Sequence, residues 1–321
     1  MVGLAVLYGY YGLPCDSHIS CELLLRHPSG PAWKRAMLKN ISKNALLSEQ
    51  LICFRGEDIL YMRSESLGTR VFHIVFFDYD YSAYIHFFDC NFKCRGCLRK
   101  LSIWDCHLPD EVTSKLTFKG FLSLRDLEDI ILRVVSEYHM KKAVLGGGEP
   151  TTDPSLIEVL RMLKRLNLDI VVLTNAYRVN EDLLKEFVDP KVIVIVSIKS
   201  IDPTRHEMYT GFPLEPVLNN LARMYSSGTR LLVETIVIPG FNDANEVGLL
   251  AKFIASIDRS IPLIIDSFIP VPGAPWRRTT LNDLREAEET ALRYLENVYG
   301  RGKAISEGMR GRVYLIYPQL E

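Results

Sequence analysis

Three cysteines, Cys90, Cys94 and Cys97, stand at the spacing C-x3-C-x2-C within HFFDCNFKCRGC, residues 86–97. Thiolate is the ligand type that iron–sulfur clusters select. Three thiolates on one loop can each take a different iron of a [4Fe–4S] cube. The fourth iron is then left without a protein ligand, open to a substrate or cofactor. Zinc is the competing reading, with Cys106 or His107 as a fourth ligand. Tetrahedral zinc usually draws its ligands as two close pairs, which the triplet fits less well. Lys93, Arg95, Arg99 and Lys100 flank the triplet and offer positive charge against that of a cluster.

A second run, Gly146-Gly147-Gly148-Glu149-Pro150, has the composition of a ligand-contacting turn. Glycines let a ligand approach the backbone where a side chain would collide, and Glu149 offers an acceptor to an ammonium group. A plain strand–helix turn reads the same glycines without a ligand. The lysine of a phosphate loop is missing.

The elements that position these residues follow from periodicity. Short apolar runs at Tyr84–Phe88, Lys142–Leu145, Asp169–Leu173, Val192–Val196, Leu231–Ile238 and Ile261–Ile265 alternate with amphipathic stretches. Those stretches, Leu124–Tyr138, Pro154–Leu166, Asp182–Val188, Leu214–Tyr225 and Ala244–Ile257, are helix-length, and Asp153 before Pro154 reads as a helix start. A βα repeat returns the chain to the same end of the sheet, so its strands pair in parallel. Six units predict an α/β fold, a partial (β/α)6 TIM-like barrel, with a doubly wound sheet as the alternative. A helix over Leu281–Val298 and a strand over Val313–Tyr317 close the chain. Residues 1–80 show no βα period and read as an N-terminal extension of mixed structure. Residues 81–270 read as the barrel, and 271–321 as the segment completing it.

The cysteine triplet after the first strand, with Gly-Gly-Glu after the second, resembles the radical S-adenosylmethionine (SAM) superfamily. The resemblance implies that Cys90, Cys94 and Cys97 hold a [4Fe–4S] cluster whose fourth iron is chelated by the amino and carboxylate groups of SAM. It implies one-electron cleavage of SAM to a 5′-deoxyadenosyl radical that abstracts hydrogen from a substrate, and hence an electron donor as partner. Carried over by position, Gly147, Gly148 and Glu149 hold the methionine ammonium. Thr174 and Asn175, in a segment similar to the family's Thr-Asn-Gly, lie beside the ribose, with Ala176 in place of glycine. Ser197 and Lys199 stand where activating enzymes carry Asp-x-Lys, with Lys199 facing the methionine carboxylate. Ile238, in Ile236-Val-Ile-Pro-Gly240, belongs to the turn near adenine.

The order of motifs is most similar to the activating enzymes of glycyl-radical proteins, such as the pyruvate formate-lyase activator. Gly96, where many members place an aromatic residue, is similar to the activators of anaerobic ribonucleotide reductase. An oxidoreductase acting on a peptide segment of a partner protein is the reading this implies. Modification of RNA or of a small metabolite remains the alternative, and a zinc-stabilised binding protein the alternative of another class.

Composition bounds the partners. Lys+Arg 38 against Asp+Glu 39 leaves a net charge of −1, so no global basic field draws the chain to nucleic acid or an acidic membrane. Nucleic acid is not excluded as a local partner. Seven cysteines without a signal-like start point away from a disulfide framework and towards a cytoplasmic protein. Cys15, Cys21, Cys53 and Cys106 are too loosely spaced to declare a second cluster and read as inert thiols. His206 reads as a surface histidine at a helix start. Asp266, ending the sixth strand, reads equally as a barrel-site residue or a cap.

Overall fold

The computed structural model describes residues 68–302 and 311–320. Cys15, Cys21, Cys53 and most of the expected N-terminal extension lie outside the described residues.

Nine strands form one open sheet: β1 (Val71–Phe77), β2 (Ser82–Phe87), β3 (Lys142–Gly147), β4 (Asp169–Thr174), β5 (Val192–Ser197), β6 (Arg230–Val237), β7 (Leu263–Ser267), β8 (Val298–Arg301) and β9 (Val313–Tyr317). Their spatial order is β8-β7-β6-β5-β4-β3-β2-β1-β9. From β2 to β8 every neighbouring pair is parallel, whereas β1 pairs antiparallel with both β2 and β9. This is the expected α/β partial barrel, with a seventh parallel strand and an antiparallel flank added.

Strand parity explains both cores. Ala83, Ile85, Ala143, Leu145, Ile170, Val172, Val194, Val196, Leu231 and Val233 face the helices and pack with them into the main core. The alternate residues Val75, Tyr84, Val144, Val171, Ile195, Leu232 and Ile264 make a second apolar layer inside the curve of the sheet. Leu108 and Val112, from the connection after β2, pack into that layer. Strands buried on both faces read as continuous apolar runs, and that is why they were legible.

Besides a single turn at Asp110–Thr113, the helices are α1 (Leu124–Tyr138), α2 (Leu156–Arg165), α3 (Glu181–Phe187), α4 (Pro203–Thr210), α5 (Glu215–Ser226), α6 (Ala244–Ile257) and α7 (Leu281–Ala291). Side-chain caps start several of them: Ser123 accepts from the Asp126 N–H, Asp202 from Arg205, and Thr280 forms a capping box with Asp283.

Three expectations are corrected. The helix expected from Pro154 begins at Leu156, because Asp153 turns back to bind the Ser155 and Arg70 N–H groups. The last helix stops at Ala291 rather than Val298, and the chain then enters β8. Gly300 permits this strand to pass beneath α7, since a Cβ there would meet the Glu288 carboxyl at 2.6 Å. Finally, the boundary placed at residue 80 falls in the turn of the β1–β2 hairpin, so β1 stands in the sheet and outside the expected barrel bounds. The run Val71–Phe77, a short apolar and strand-like stretch in the sequence, is β1 and is fully buried.

Candidate active site

The cysteine loop leaves the C-terminal end of β2. Its backbone is fastened to the end of α4, where the Lys93 N–H donates to the Thr210 carbonyl and the Arg95 N–H to the Tyr209 carbonyl, both at 2.8 Å. Gly96 lies so close to Tyr209 and Phe268 that a Cβ would sit 2.4 and 2.7 Å from their side chains. The missing aromatic residue before Cys97 therefore has a local cause: those two rings already fill its place. Cys90, Cys94 and Cys97 are all free thiols. Burial, with the Glu149 charge adding to it, pushes the Cys90 thiol up to about 12. Burial pushes Cys94 up to about 11, with Lys199 opposing. Such thiols become ligands only when a metal's positive charge displaces their protons.

The glycine-rich turn, at the end of β3, is stitched to this loop. The Gly148 N–H donates to the Phe87 carbonyl and the Glu149 N–H to the Asp89 carbonyl, each at 2.7 Å. A Cβ on Gly148 would lie 2.2 Å from the Asp89 carbonyl oxygen. Gly147, at φ +92°, has His86 on the side a Cβ would take, and Gly146 has the Tyr84 hydroxyl there at 2.3 Å. All three glycines are thus required by packing within the protein, a reason beyond the ligand approach expected of them.

Glu149 is buried, and its carboxylate ties the turn to the end of β4. Oε1 accepts from the Thr174 hydroxyl at 2.6 Å, the Thr151 hydroxyl at 2.7 Å and the Thr151 N–H at 3.1 Å. Oε2 accepts from the Asn175 N–H at 2.6 Å. Burial raises its pKa, and the Asn175, Thr174 and Thr151 hydrogen bonds restrain the rise. Among the described residues no salt bridge is recorded to this carboxylate. Ala176 adopts φ +55°, a left-handed conformation that glycine takes without strain. The departure from Thr-Asn-Gly is therefore in side chain, with the backbone shape kept.

Two steps further along the inner face of the sheet, the apolar layer gives way to polar residues. His86 follows Tyr84, Ser197 follows Ile195, Glu234 follows Leu232, and Asp266 follows Ile264. The Ser197 hydroxyl donates to Glu234 Oε1 at 2.9 Å, and Lys199 donates to the Ser197 hydroxyl. Lys199 Nζ lies 4.0 Å from Glu234. Arg301, from β8, pairs with Glu234 at 2.6 Å and with Asp266 through two contacts at 2.6 and 2.9 Å. Burial opposes the Glu234 charge, but Arg301 and Lys199 hold it below its usual range. Burial pushes Asp266 up to about 6, with Arg301 opposing and Glu234 reinforcing. Asp266 is an ion-pair residue here. Arg301 went unread in the sequence, because nothing local marks an arginine whose partners lie 35 and 67 residues away.

Ile238 is wholly covered, in an apolar cluster with Tyr209, Phe241 and Phe268 against which Cys94, Ile236 and Trp276 pack. Ile236, on the same face, is only half covered.

His206 is corrected from surface to core. It is fully buried on α4, its ring edge-on to Phe92, and burial pulls its pKa down to about 4. The basic residues near the triplet are partly committed elsewhere. Arg99 donates to the Phe88 carbonyl, Lys100 to the Arg95 carbonyl, and Arg95 lies 5.5 Å from the Trp276 ring centroid. Cys106 and His107 group with Asp105, their ligand atoms within 4.8 Å of one another. Asp105 also accepts from His107 at 2.8 Å and contacts His86 at 3.0 Å. Burial works against the charges of Asp105 and His107, yet their mutual attraction prevails: Asp105 is held well below its usual range and His107 well above. The Nδ1 of His107 is thus engaged by Asp105.

The residues fit a cluster with SAM. Three free thiols share one loop, a buried carboxylate without a recorded salt bridge lies near Cys90, and the side-chain nitrogen of Asn91, the residue after Cys90, is buried without an acceptor among the described residues. Residues 84–253 match the Radical SAM superfamily. A protein of Methanocaldococcus jannaschii described as a glycyl-radical enzyme activating enzyme is 27% identical over 216 residues, 66% of this chain and 77% of that one. A Pyrococcus horikoshii protein described as a GTP 3′,8-cyclase is 27% identical over 183 residues, 55% of this chain and 52% of that one. In fold, the crystal structure of Streptococcus suis SuiB bound to S-adenosylmethionine superposes with a TM-score of 0.55 at 15% identity, over 67% of this chain and 48% of that chain. The chain thus spans about half the length of the cyclase and of SuiB, and about three quarters of the archaeal activating enzyme.

This chain belongs to the radical SAM superfamily, whose members work with a [4Fe–4S] cluster and S-adenosylmethionine. Among the described residues no helix is long and apolar enough to cross a membrane.

Proposed function

We propose that this chain holds a [4Fe–4S] cluster on Cys90, Cys94 and Cys97 and acts on a peptide segment of a partner protein, in the manner of an activating enzyme. When bound, the cluster would supply one electron for the cleavage of SAM to methionine and a 5′-deoxyadenosyl radical, the species that would take hydrogen from the substrate. The protein binds, orients and excludes water. Gly147, Gly148 and Glu149 receive the methionine ammonium, with the Glu149 carboxylate held in place by Thr174 and Asn175. Lys199, steadied by Ser197, meets the methionine carboxylate. Ile238 backs the apolar wall on the adenine side through its contacts with Tyr209 and Phe268. An external one-electron donor supplies the reducing equivalent. Residues 71–317 act as one catalytic body, and the N-terminal residues outside it form the extension.

The observation that carries the choice of substrate is the charge balance inside the barrel. Lys199 and Arg301 face Glu234 and Asp266, two cations against two carboxylates. A nucleoside triphosphate needs several cations free to meet its phosphates, whereas a peptide segment brings little charge. This supports the activating-enzyme reading over that of a GTP 3′,8-cyclase, which the Pyrococcus relative would otherwise suggest.

The test incubates enzyme, SAM and reductant with cell extract treated with protease (removed before assay) or with ribonuclease, and separately with GTP. Protease treatment should abolish 5′-deoxyadenosine formation above background, and ribonuclease should not. Stimulation by GTP alone, or activity that survives protease and vanishes with ribonuclease, replaces the peptide with a nucleotide or RNA.

A further inference from the structure

The cysteine loop carries a side-chain donor whose direction is forced by its neighbours. The Tyr177 backbone N–H can only donate, so Asn175 turns its Oδ1 towards it, at 3.0 Å. The Nδ2 of Asn175 then faces Asn91 at 2.8 Å, and Asn91 must answer with its Oδ1. Amide orientations are assigned from such networks, and here a backbone donor anchors the chain. Flipping either amide would set donor against donor. The Nδ2 of Asn91 is therefore left on the far side, shut from solvent and without an acceptor among the described residues.

An amide donor buried without an acceptor is costly, because it has given up its bond to water and gained none in return. Asn91 directly follows Cys90 in the cysteine loop and precedes Phe92, whose backbone N–H donates to the Cys90 sulfur. Sulfur is the acceptor that this loop gathers.

We infer that the Asn91 side-chain amide is a fixed hydrogen-bond donor to a sulfur of the cluster and raises its reduction potential. This rests on the reading of Cys90, Cys94 and Cys97 as the cluster ligands. The reduced cluster carries one more negative charge, spread over its sulfurs. A donor aimed at sulfur therefore stabilises the reduced form more than the oxidised one. Asn91 is a positioning and tuning residue, braced through Asn175 by the same β4 end that holds Glu149.

The test compares reconstituted holoenzymes of the wild type, Asn91→Asp and Asn91→Ala. Each is titrated anaerobically with reductant and followed by the electron paramagnetic resonance signal of the reduced cluster, without and with SAM. Asn91→Asp keeps an acceptor for Asn175 and replaces the donor by a carboxylate oxygen. Asn91→Ala separates loss of the donor from the added charge. With iron held at four per chain, Asn91→Ala should lower the reduction equilibrium constant roughly tenfold, about 59 mV for one electron, and Asn91→Asp further. The shift should be present without SAM. Unchanged potentials at full iron content overturn the inference alone. A fall in SAM affinity at unchanged potential also overturns it, assigning the donor to SAM. A wild type that binds no [4Fe–4S] cluster overturns the ligand reading, and this inference with it.

Discussion

Glu149 shows what a buried carboxylate without a recorded salt bridge implies. Four hydrogen bonds hold its charge in place, and an ammonium would complete its neutralisation. Glu149→Gln should weaken SAM binding by roughly 10–100-fold, since it removes a charged hydrogen bond worth about 1.5–3 kcal/mol. Iron content should stay unchanged. Equilibrium binding of SAM to the anaerobic holoenzyme measures this, and unaltered affinity would remove Glu149 from the site. Asp266 gives a prediction in pH. Its folded pKa of about 6 lies above its ordinary value, so its contribution to stability is full below the unfolded pKa and is lost as pH rises through 6. The wild type should therefore lose about 1 kcal/mol relative to Asp266→Asn between pH 5 and pH 7.5, read from urea denaturation at the two pH values. A constant difference would show that Asp266 is charged throughout.

At the scale of elements, the cysteine loop and the glycine turn form one unit. Gly148→Ala places a methyl group against the carbonyls of Phe87, Phe88 and Asp89, and backbone yields less readily than a side chain. It should cost about 1–3 kcal/mol and reduce iron incorporation together with stability. Gly228 is the control: it sits at φ +83° with nothing near its missing Cβ, so Gly228→Ala should cost about 1 kcal/mol and leave iron content alone. Equal loss of iron in both variants would deny that the turn shapes the loop. Much of this unit was legible in the sequence, because the triplet and Gly-Gly-Glu announce themselves by local spacing. The division of labour was not. The glycines suggested a ligand's approach, and a sequence does not show that the backbone of 87–89 occupies one side of Gly148. His206 was misplaced for a related reason: a helix start ordinarily faces solvent, but α4 packs its histidine against Phe92.

At the scale of the molecule, the βα period marked six parallel strands and apolar runs marked β1 and β9, whereas β8 went unread. That strand, Val-Tyr-Gly-Arg, is short, interrupted by glycine and ended by a charge. Yet β8 delivers Arg301 to two carboxylates on β6 and β7. The segment beyond residue 270 is thus part of the barrel. Arg301→Met should destabilise the protein by about 3–5 kcal/mol, because it leaves two buried carboxylates without their shared cation. A loss below about 1 kcal/mol in chemical denaturation would mean that the C-terminal segment is an appendage to the fold.

Anaerobic reconstitution with iron and sulfide, followed by assay of SAM cleavage under reductant, tests whether Cys90, Cys94 and Cys97 hold a working cluster. The reconstituted protein should bind about four irons per chain at Cys90, Cys94 and Cys97 and form 5′-deoxyadenosine, and replacing any of the three cysteines by Ala should abolish both. Stoichiometric zinc in place of iron, with no cleavage of SAM, would contradict the cluster assignment.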